Sequence, residues 1–325
     1  IYAPVQAALE RPKVGHRCAL VGLAECAQKI YFITICIQWI ILLLMKCYLI
    51  NLDRSGDRLA RMRERFHAIG VDYFRVSAID GCNLSERDVR IFLKDRRSRR
   101  WNYGEIGCFL SHLKTWQIFV QSGEDFAAIF EDDAFMSAEL TSLLAGSGWI
   151  PEDADIVRLE TTFWKTEIGA ERTKLSGKLG LHRLLSLHHG AGAYILSARA
   201  AKWLLDNNDL LRTTIDSALF DFQEKSCRSL KIYQINPAPV LQETVYRLHF
   251  QPTYDAQSQI FKSDWVPTPE WPLKLRKLWR EIKRPYRKFK DGFQQKAREN
   301  KKLSVVGKID FYGRVENNAE KIYRP

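Results

Sequence analysis

No Cys-x-x-C pair and no short His/Cys cluster occurs in this sequence. Its seven cysteines (Cys18, Cys26, Cys36, Cys47, Cys82, Cys108, Cys227) are odd in number and widely scattered. That pattern argues against a disulfide framework and against a structural zinc, and fits a reduced, cytosolic setting better. No internal repeat is visible. No apolar stretch reaches the roughly 20 residues that a membrane-spanning helix needs. Residues 30–45 come nearest, with Arg11, Lys13 and Arg17 before them as in a secretory segment, but no small-residue cleavage site follows. The apolar extension 1–44 is therefore open between untidy upstream translation, a membrane anchor and a signal segment. Acidic charge is scarce in one place only: residues 270–302 carry thirteen Lys/Arg against four acids, a surplus of nine out of a net +12. The rest of the chain is near neutral, so no nucleic-acid partner is expected for the core.

What is present, from Met45 onward, is an alternation of strand and helix signals. Apolar runs at 46–52, 73–78, 126–130, 156–159, 193–196, 232–235 and 238–241 read as strands. Helical spacing of apolar residues marks 57–68, 102–121 and 199–206, and Ser85 followed by Asp88 reads as a helix start. The expected fold is α/β: a single catalytic domain over 45–254, with a mostly parallel central sheet flanked by helices. Residues 255–325 are expected to form a Pro-containing linker and a basic amphipathic helical tail. In it Leu275, Leu278, Trp279, Ile282, Tyr286 and Phe289 share one face, and Pro285 is expected to kink or split the helix.

The sharpest chemical signal is Glu131-Asp132-Asp133, an apolar strand running into three carboxylates. Strand alternation puts Glu131 and Asp133 on one side and Asp132 on the other. Two carboxylates about 4–5 Å apart repel by roughly 3–4 kcal/mol at an effective dielectric near 20. A divalent cation reverses that sign, and oxygen ligands suit Mg²⁺ or Mn²⁺. The plainer alternative is a solvated acidic turn capping the next helix. Glu105 and His112, seven apart, fall on one face of their helix and either brace it or line a cleft.

Four segments in this order resemble glycosyltransferase family 25, the lipopolysaccharide-type transferases related to collagen galactosyltransferases. They are Tyr48-Leu49-Ile50-Asn51-Leu52-Asp53-Arg54-Ser55 with Arg58; Gly104-Glu105-Ile106-Gly107-Cys108-Phe109-Leu110-Ser111-His112; Ile129-Phe130-Glu131-Asp132-Asp133; and Gly192-Ala193-Tyr194-Ile195-Leu196-Ser197. The resemblance covers about 45–241, and departs from the family where Phe130 replaces a frequent Leu. It implies a GT-A-like fold, a nucleotide-sugar donor (UDP-galactose or UDP-glucose), a saccharide or lipid-linked saccharide acceptor, and a divalent metal. Mapped onto this chain, it makes Asp133 the metal ligand, with Glu131 a second ligand or a ribose contact and Asp132 in support. Asn51 and Arg54 would meet the nucleotide. Arg58 would do so too, or else is a solvated helix-face charge. Glu105, Ser111 and His112 would line the donor cleft.

The inverting transfer that the resemblance implies needs a carboxylate to take the acceptor's proton. Asp216 is favoured, with Glu160 and Asp221 as the other candidates, while His188 and His189 read as loop histidines. Two rival functions stand beside this one. A metal-dependent phosphoesterase would cast Asp53 as nucleophile, and a nucleic-acid-binding protein would rest on the basic tail. The same tail suits an anionic membrane, which would place the enzyme peripherally on the cytoplasmic membrane's inner face.

Overall fold

The structure, a computed structural model, describes residues 44–94, 96, 99–250, 264–266 and 270–312; the extension 1–43 lies outside the described residues. Its strands are β1 (Lys46–Asn51), β2 (Phe74–Ser77), β3 (Phe126–Glu131), β4 (Ala134–Met136), β5 (Ile156–Arg158), β6 (Glu160–Thr161), β7 (Lys165–Gly169), β8 (Thr173–Lys174), β9 (Gly180–Arg183), β10 (Ala193–Ser197), β11 (Ile232–Asn236), β12 (Val240–Gln242) and β13 (Ser304–Lys308). Its helices are α1 (Gly56–Ala68), α2 (Glu86–Leu93), α3 (Tyr103–Ser122), α4 (Leu140–Leu144), α5 (Ala198–Asp206), α6 (Ile215–Phe220), α7 (Lys225–Arg228), α8 (Glu243–Phe250) and α9 (Glu270–Asn300).

Alternation along the central strands splits the core into two layers. Tyr48, Ile50, Ala127, Ile129, Tyr194 and Leu196 face one side, where α3 brings Phe109 and Trp116 and α5 brings Ala201 and Leu204. Cys47, Leu49, Ala128, Phe130, Ala193 and Ile195 face the other, where α1 packs Met62 and Phe66 and α4 packs Leu143. Because both faces are covered, these strands read as unbroken apolar runs.

The main sheet has the order β2-β1-β3-β10-β5-β11-β9-β8. The expected mostly parallel arrangement is corrected here, because the sheet is mixed. β1 is parallel to β2 and β3, and β5 to β11, but β10 lies antiparallel between β3 and β5, and β9 is antiparallel to β11 and β8. A strand buried on both faces carries the same apolar signature whichever way it runs, so its direction leaves no mark on the pattern. Two small sheets, β4-β12-β6 and β13-β7, complete the fold.

The basic segment forms one helix, α9, that continues through Pro285; of the expected kink or split, the split does not occur. A proline removes one N–H and crowds one carbonyl, which a long helix can absorb by bending. Beyond α9 the chain returns to the catalytic unit. Here β13 pairs antiparallel with β7 over Ser304–Lys308, Ala238 N donates to the Asp310 carbonyl, and Thr161 Oγ1 donates to the Ile309 carbonyl. Arg298 Nε and Nη2 reach the two oxygens of buried Glu167 at 2.7 Å each, and Ser304 Oγ adds a third bond at 2.7 Å. Burial alone would raise the Glu167 pKa, but Arg298 and Ser304 hold it below the usual carboxylate range. A depressed acid contributes stability that is present above its ordinary pKa and lost as pH falls through the folded value. Arg298→Ala should therefore cost about 2 kcal/mol at neutral pH, by leaving a buried carboxylate half-satisfied. The gap in melting temperature to the native protein should close as pH drops through the acidic range. A gap that is absent at pH 7, or that does not change with pH, contradicts this anchoring.

Candidate active site

β1 and β3 end side by side, with Ile50 opposite Glu131, and each then delivers polar residues to the same sheet edge. On the other flank Glu131 N donates to the Gly192 carbonyl just before β10, at 2.9 Å. Asn51, 1 % exposed, donates through Nδ2 to Asp132 Oδ2 at 2.7 Å and accepts from Arg75 Nε at 3.0 Å. Arg58, from the first turn of α1, bridges the acids: Nη1 lies 2.9 Å from Asp132 Oδ1 and Nη2 3.1 Å from Asp133 Oδ2. The solvated reading of Arg58 is thereby corrected. Burial would lower its pKa, but Asp133 and Asp132 raise it above the ordinary value. Its place in the first turn of α1, two residues after Gly56, brings this side chain over the strand end, a placement that residue spacing alone does not reveal.

Burial pushes the Asp133 carboxyl up to about 7 against the pull of Arg58, with Glu131 and Asp132 adding to the rise. Its Oδ1 is buried and has no hydrogen-bond partner within the protein. A buried, unshared carboxylate oxygen beside further carboxylates is a donor set that fits a hard divalent cation. The His/Cys/acid ligand atoms that converge most tightly among the described residues are a different set, Cys108, His112 and Glu131, within 4.8 Å of one another. Burial holds the Cys108 thiol well above its ordinary pKa, and sulfur is a soft donor that suits Mg²⁺ or Mn²⁺ less well than carboxylate oxygen.

Glu131 is held from behind. His112 Nε2 lies 3.1 Å from Glu131 Oε1, His112 Nδ1 lies 2.8 Å from the Tyr194 hydroxyl, and Trp116 Nε1 donates to that hydroxyl at 2.8 Å. Indole N–H only donates, so the Tyr194 oxygen accepts from it and gives its own proton to His112 Nδ1. His112 then carries its proton on Nε2, facing the carboxylate. Every group in the chain is satisfied by that one assignment. Glu105 does not touch His112. It closes a capping box with Asn102 (Glu105 N to Asn102 Oδ1 2.7 Å, Asn102 N to Glu105 Oε2 3.0 Å) and pairs with Arg99 Nη2 at 2.5 Å. Ser111 Oγ accepts from Ile79 N at 2.8 Å and donates to the Gly107 carbonyl at 2.6 Å. A Cβ on Gly107 would stand 2.5 Å from the Ile79 carbonyl oxygen, so only glycine lets that loop close on α3.

Two cavities meet at the acid strand end and share Cys108, Glu131 and Asp133 in their walls. The narrower, about 110 Å³, is lined by Asn51, Arg54, Arg58, Ser111 and His112 among others; Arg54 pairs with Asp80 across its rim at 2.7 Å. The wider, about 910 Å³, is lined by Glu105, His189, Asp216 and Gln242. Burial would raise the Asp216 pKa, but the neighbouring His189 and Thr214 side chains and the backbone N–H groups of Ser217 and Gly190, the last 3.5 Å from Oδ2, hold it well below the carboxylate range. His189 Nδ1 lies 3.9 Å from Asp216 Oδ2 and is raised in turn, first by that carboxylate.

Glu160 sits elsewhere. It is fully buried, paired with Arg158 Nη2 at 2.9 Å, pushed up to about 8 by burial, and absent from both cavity walls. Asp221 accepts from Gln223 N at 2.9 Å in the turn after α6. His188 is buried and its pKa is lowered, chiefly by desolvation. Asp53, the nucleophile a phosphoesterase would require, is engaged by Ser77 Oγ at 2.7 Å and Arg75 Nη2 at 2.5 Å. Two residues escaped the sequence reading. Arg158 gathers the carbonyls of His188 (3.0 Å), His189 and Gly190 (2.6 Å), fixing the cavity's loop, and Tyr194 orders the His112–Glu131 contact. The apolar run at 156–159 hides a single buried arginine, and only the paired glycines Gly190 and Gly192 hint at a tight loop.

The sequence of the chain is similar to those of several known proteins. The family described as glycosyltransferase family 25 (LPS biosynthesis protein) matches residues 45–219. The chain is 27 % identical over 285 residues to the lacto-N-neotetraose biosynthesis glycosyltransferase LgtE of Neisseria gonorrhoeae, covering 83 % of this chain and 98 % of that one. It is 25 % identical over 207 residues to the lipooligosaccharide biosynthesis protein lic2B of Haemophilus influenzae, covering 60 % and 75 %. It is 26 % identical over 239 residues to procollagen galactosyltransferase 1-A of Xenopus laevis, covering 69 % of this chain and 38 % of that one.

The buried relay supplies a direct test. Tyr194→Phe removes the acceptor for Trp116 and the donor for His112 without changing shape. Leaving these buried groups unpaired should cost about 1–3 kcal/mol in denaturant unfolding. A Tyr194→Phe protein as stable as the native one would contradict the assignment.

Proposed function

Because this chain belongs to glycosyltransferase family 25, the lipopolysaccharide-biosynthesis transferases related to the collagen galactosyltransferases, we propose that it moves a hexose, galactose or glucose, from a UDP-sugar to a saccharide acceptor with inversion. The observation that carries this reading is the single carboxylate-bearing strand end shared by two cavities. A transferase needs donor and acceptor to meet at one reacting carbon, and a common wall between two sites supplies that geometry. The narrower cavity, with Asn51, Arg54 and Arg58, is assigned to the nucleotide side, and the wider one to the acceptor.

Asp133, through its unpartnered Oδ1, and Glu131 would hold Mn²⁺ or Mg²⁺, which when bound sets positive charge against the donor's diphosphate. Arg58 stands beside the same acids and adds a second, fixed positive charge. Asp216 takes the proton of the acceptor hydroxyl as that oxygen bonds to the sugar's anomeric carbon and the bond to UDP breaks. Its place in the wall of the wider cavity supports this role; its depressed pKa keeps it ionised but also makes it a weaker base than an ordinary carboxylate. Glu160, behind the wall, has no such access.

The acceptor is assigned as lipid-linked, with the enzyme peripheral on the inner face of the cytoplasmic membrane. Supporting this, Ile282, Phe289 and Phe293 stand exposed on α9 among exposed Lys288 and Lys290. Among the described residues no helix is long and apolar enough to cross a membrane.

Asp133→Asn should abolish transfer while the fold survives, because the neutral amide suits a site whose burial already disfavours charge. UDP release from UDP-galactose or UDP-glucose with Mn²⁺ should fall at least about a hundredfold, with the melting temperature little changed. Full activity in the variant, or native activity undiminished by a chelator, overturns the metal role.

A further inference from the structure

His189, in the wall of the wider cavity, carries the ring of Trp164 against it, and the Trp164 side chain serves no core. Trp164 is 65 % exposed and lies in the loop between β6 and β7. Phe163 before it takes φ 59°, a left-handed conformation costly for a bulky residue. That conformation is held in place: Phe163 N donates to Thr161 Oγ1 at 3.1 Å, and the Phe163 ring packs against His249 at 4.7 Å between centroids. The loop thus spends strain to turn one indole outward. The Trp164 ring meets the His189 ring edge to face, with centroids 5.2 Å apart at 81°, and His189 Nδ1 lies 3.9 Å from Asp216 Oδ2.

We propose that Trp164 and His189 form an acceptor subsite that receives the second pyranose ring of a saccharide whose first ring presents its hydroxyl to Asp216. This rests on the reading of Asp216 as the base at the acceptor hydroxyl. A pyranose is polar around its rim, but one face is a patch of C–H bonds, which carry slight positive charge and suit the negative face of an aromatic ring. An indole is the largest such platform, and its two side-chain torsions make it cheap to order. Trp164 touches His189 and His189 stands beside Asp216, so the exposed indole lies one side chain beyond the proposed base. The surroundings favour a neutral, hydroxyl-rich ligand over an anionic lipid surface, because in the cavity wall that holds His189 the carboxylates of Glu105, Glu131, Asp133, Asp216 and Glu224 outnumber Arg99 and Arg212.

The test measures transfer from UDP-galactose and UDP-glucose with Mn²⁺ by the full chain. Methyl β-glucoside and methyl β-galactoside serve as one-ring acceptors, and cellobiose and lactose as two-ring acceptors. The native enzyme should prefer the two-ring acceptors in kcat/KM, and Trp164→Ala should reduce that preference about tenfold, through KM with little change in kcat. Trp164→Phe should recover part of it. Because the side chain is largely exposed, neither change should unfold the protein. A native enzyme without two-ring preference, or a Trp164→Ala variant that keeps it, overturns the subsite. So does a variant that keeps the preference but loses binding to phosphatidylglycerol vesicles, which would make Trp164 a membrane contact. UDP release without two-ring preference sinks the subsite alone. If no UDP is released from any UDP-sugar, the proposed function fails and takes the subsite with it.

Discussion

Three carboxylates in a row at a strand end repel one another, and what makes this fold tolerable is the guanidinium of Arg58 lying across two of them. Glu131 and Asp132 both push the Asp133 carboxyl up, and like charges about 4–5 Å apart would repel by roughly 3–4 kcal/mol at an effective dielectric near 20. Arg58 and the Asn51 amide offset that cost at Asp132 and half of Asp133, leaving one oxygen of Asp133 with no protein partner. The neighbouring architecture follows from holding these groups together. β1 must end beside β3 so that Asn51 reaches Asp132. The next helix must start within a short loop so that its first turn brings Arg58 over the acids.

The same constraint explains why four separate segments of the chain carry recognisable motifs. Gly107 and Ser111 on α3 clamp the loop at Ile79, which closes the narrower cavity. His112 on that helix reaches Glu131, and Tyr194 on β10 fixes which nitrogen of His112 bears the proton. The loop before β10 is in turn fixed by Arg158, buried from β5. Asn51, Arg58, His112 and the carbonyl of Gly192 thus meet the acid strand end directly, and Tyr194 stands one contact behind it. That arrangement lets a glycosyltransferase of this family keep a crowded anionic site rigid without filling it with protein cations.

Much of this was legible in the sequence, for physical reasons that also mark where legibility stops. Apolar runs and helical spacing located β1, β3, β5, β10, α1, α3 and α5, because burial on both sheet faces writes itself directly into composition. The triplet Glu131-Asp132-Asp133 pointed to the strand end where two cavities meet, although by itself it read equally well as a solvated acidic turn. Strand direction was not legible, so the antiparallel β10 came out only in the structure. Short, partly polar strands such as β7, β9 and β13 have too little pattern to see, and the return of residues 304–312 to the catalytic unit went unforeseen. Glu160 reads like Asp216 in sequence, as a carboxylate near a strand. A fully buried arginine two residues before it is what separates the one behind the wall from the one on it.

The central claim is that the acid strand end and the narrower cavity beside it bind a nucleoside diphosphate through Asp133 and a divalent cation. Calorimetric titration of the protein with UDP, run with Mn²⁺ and again with chelator, tests it most directly. The account predicts saturable binding at one site per chain that weakens sharply when the cation is removed. UDP binding that is absent, or equally tight in chelator, would contradict it.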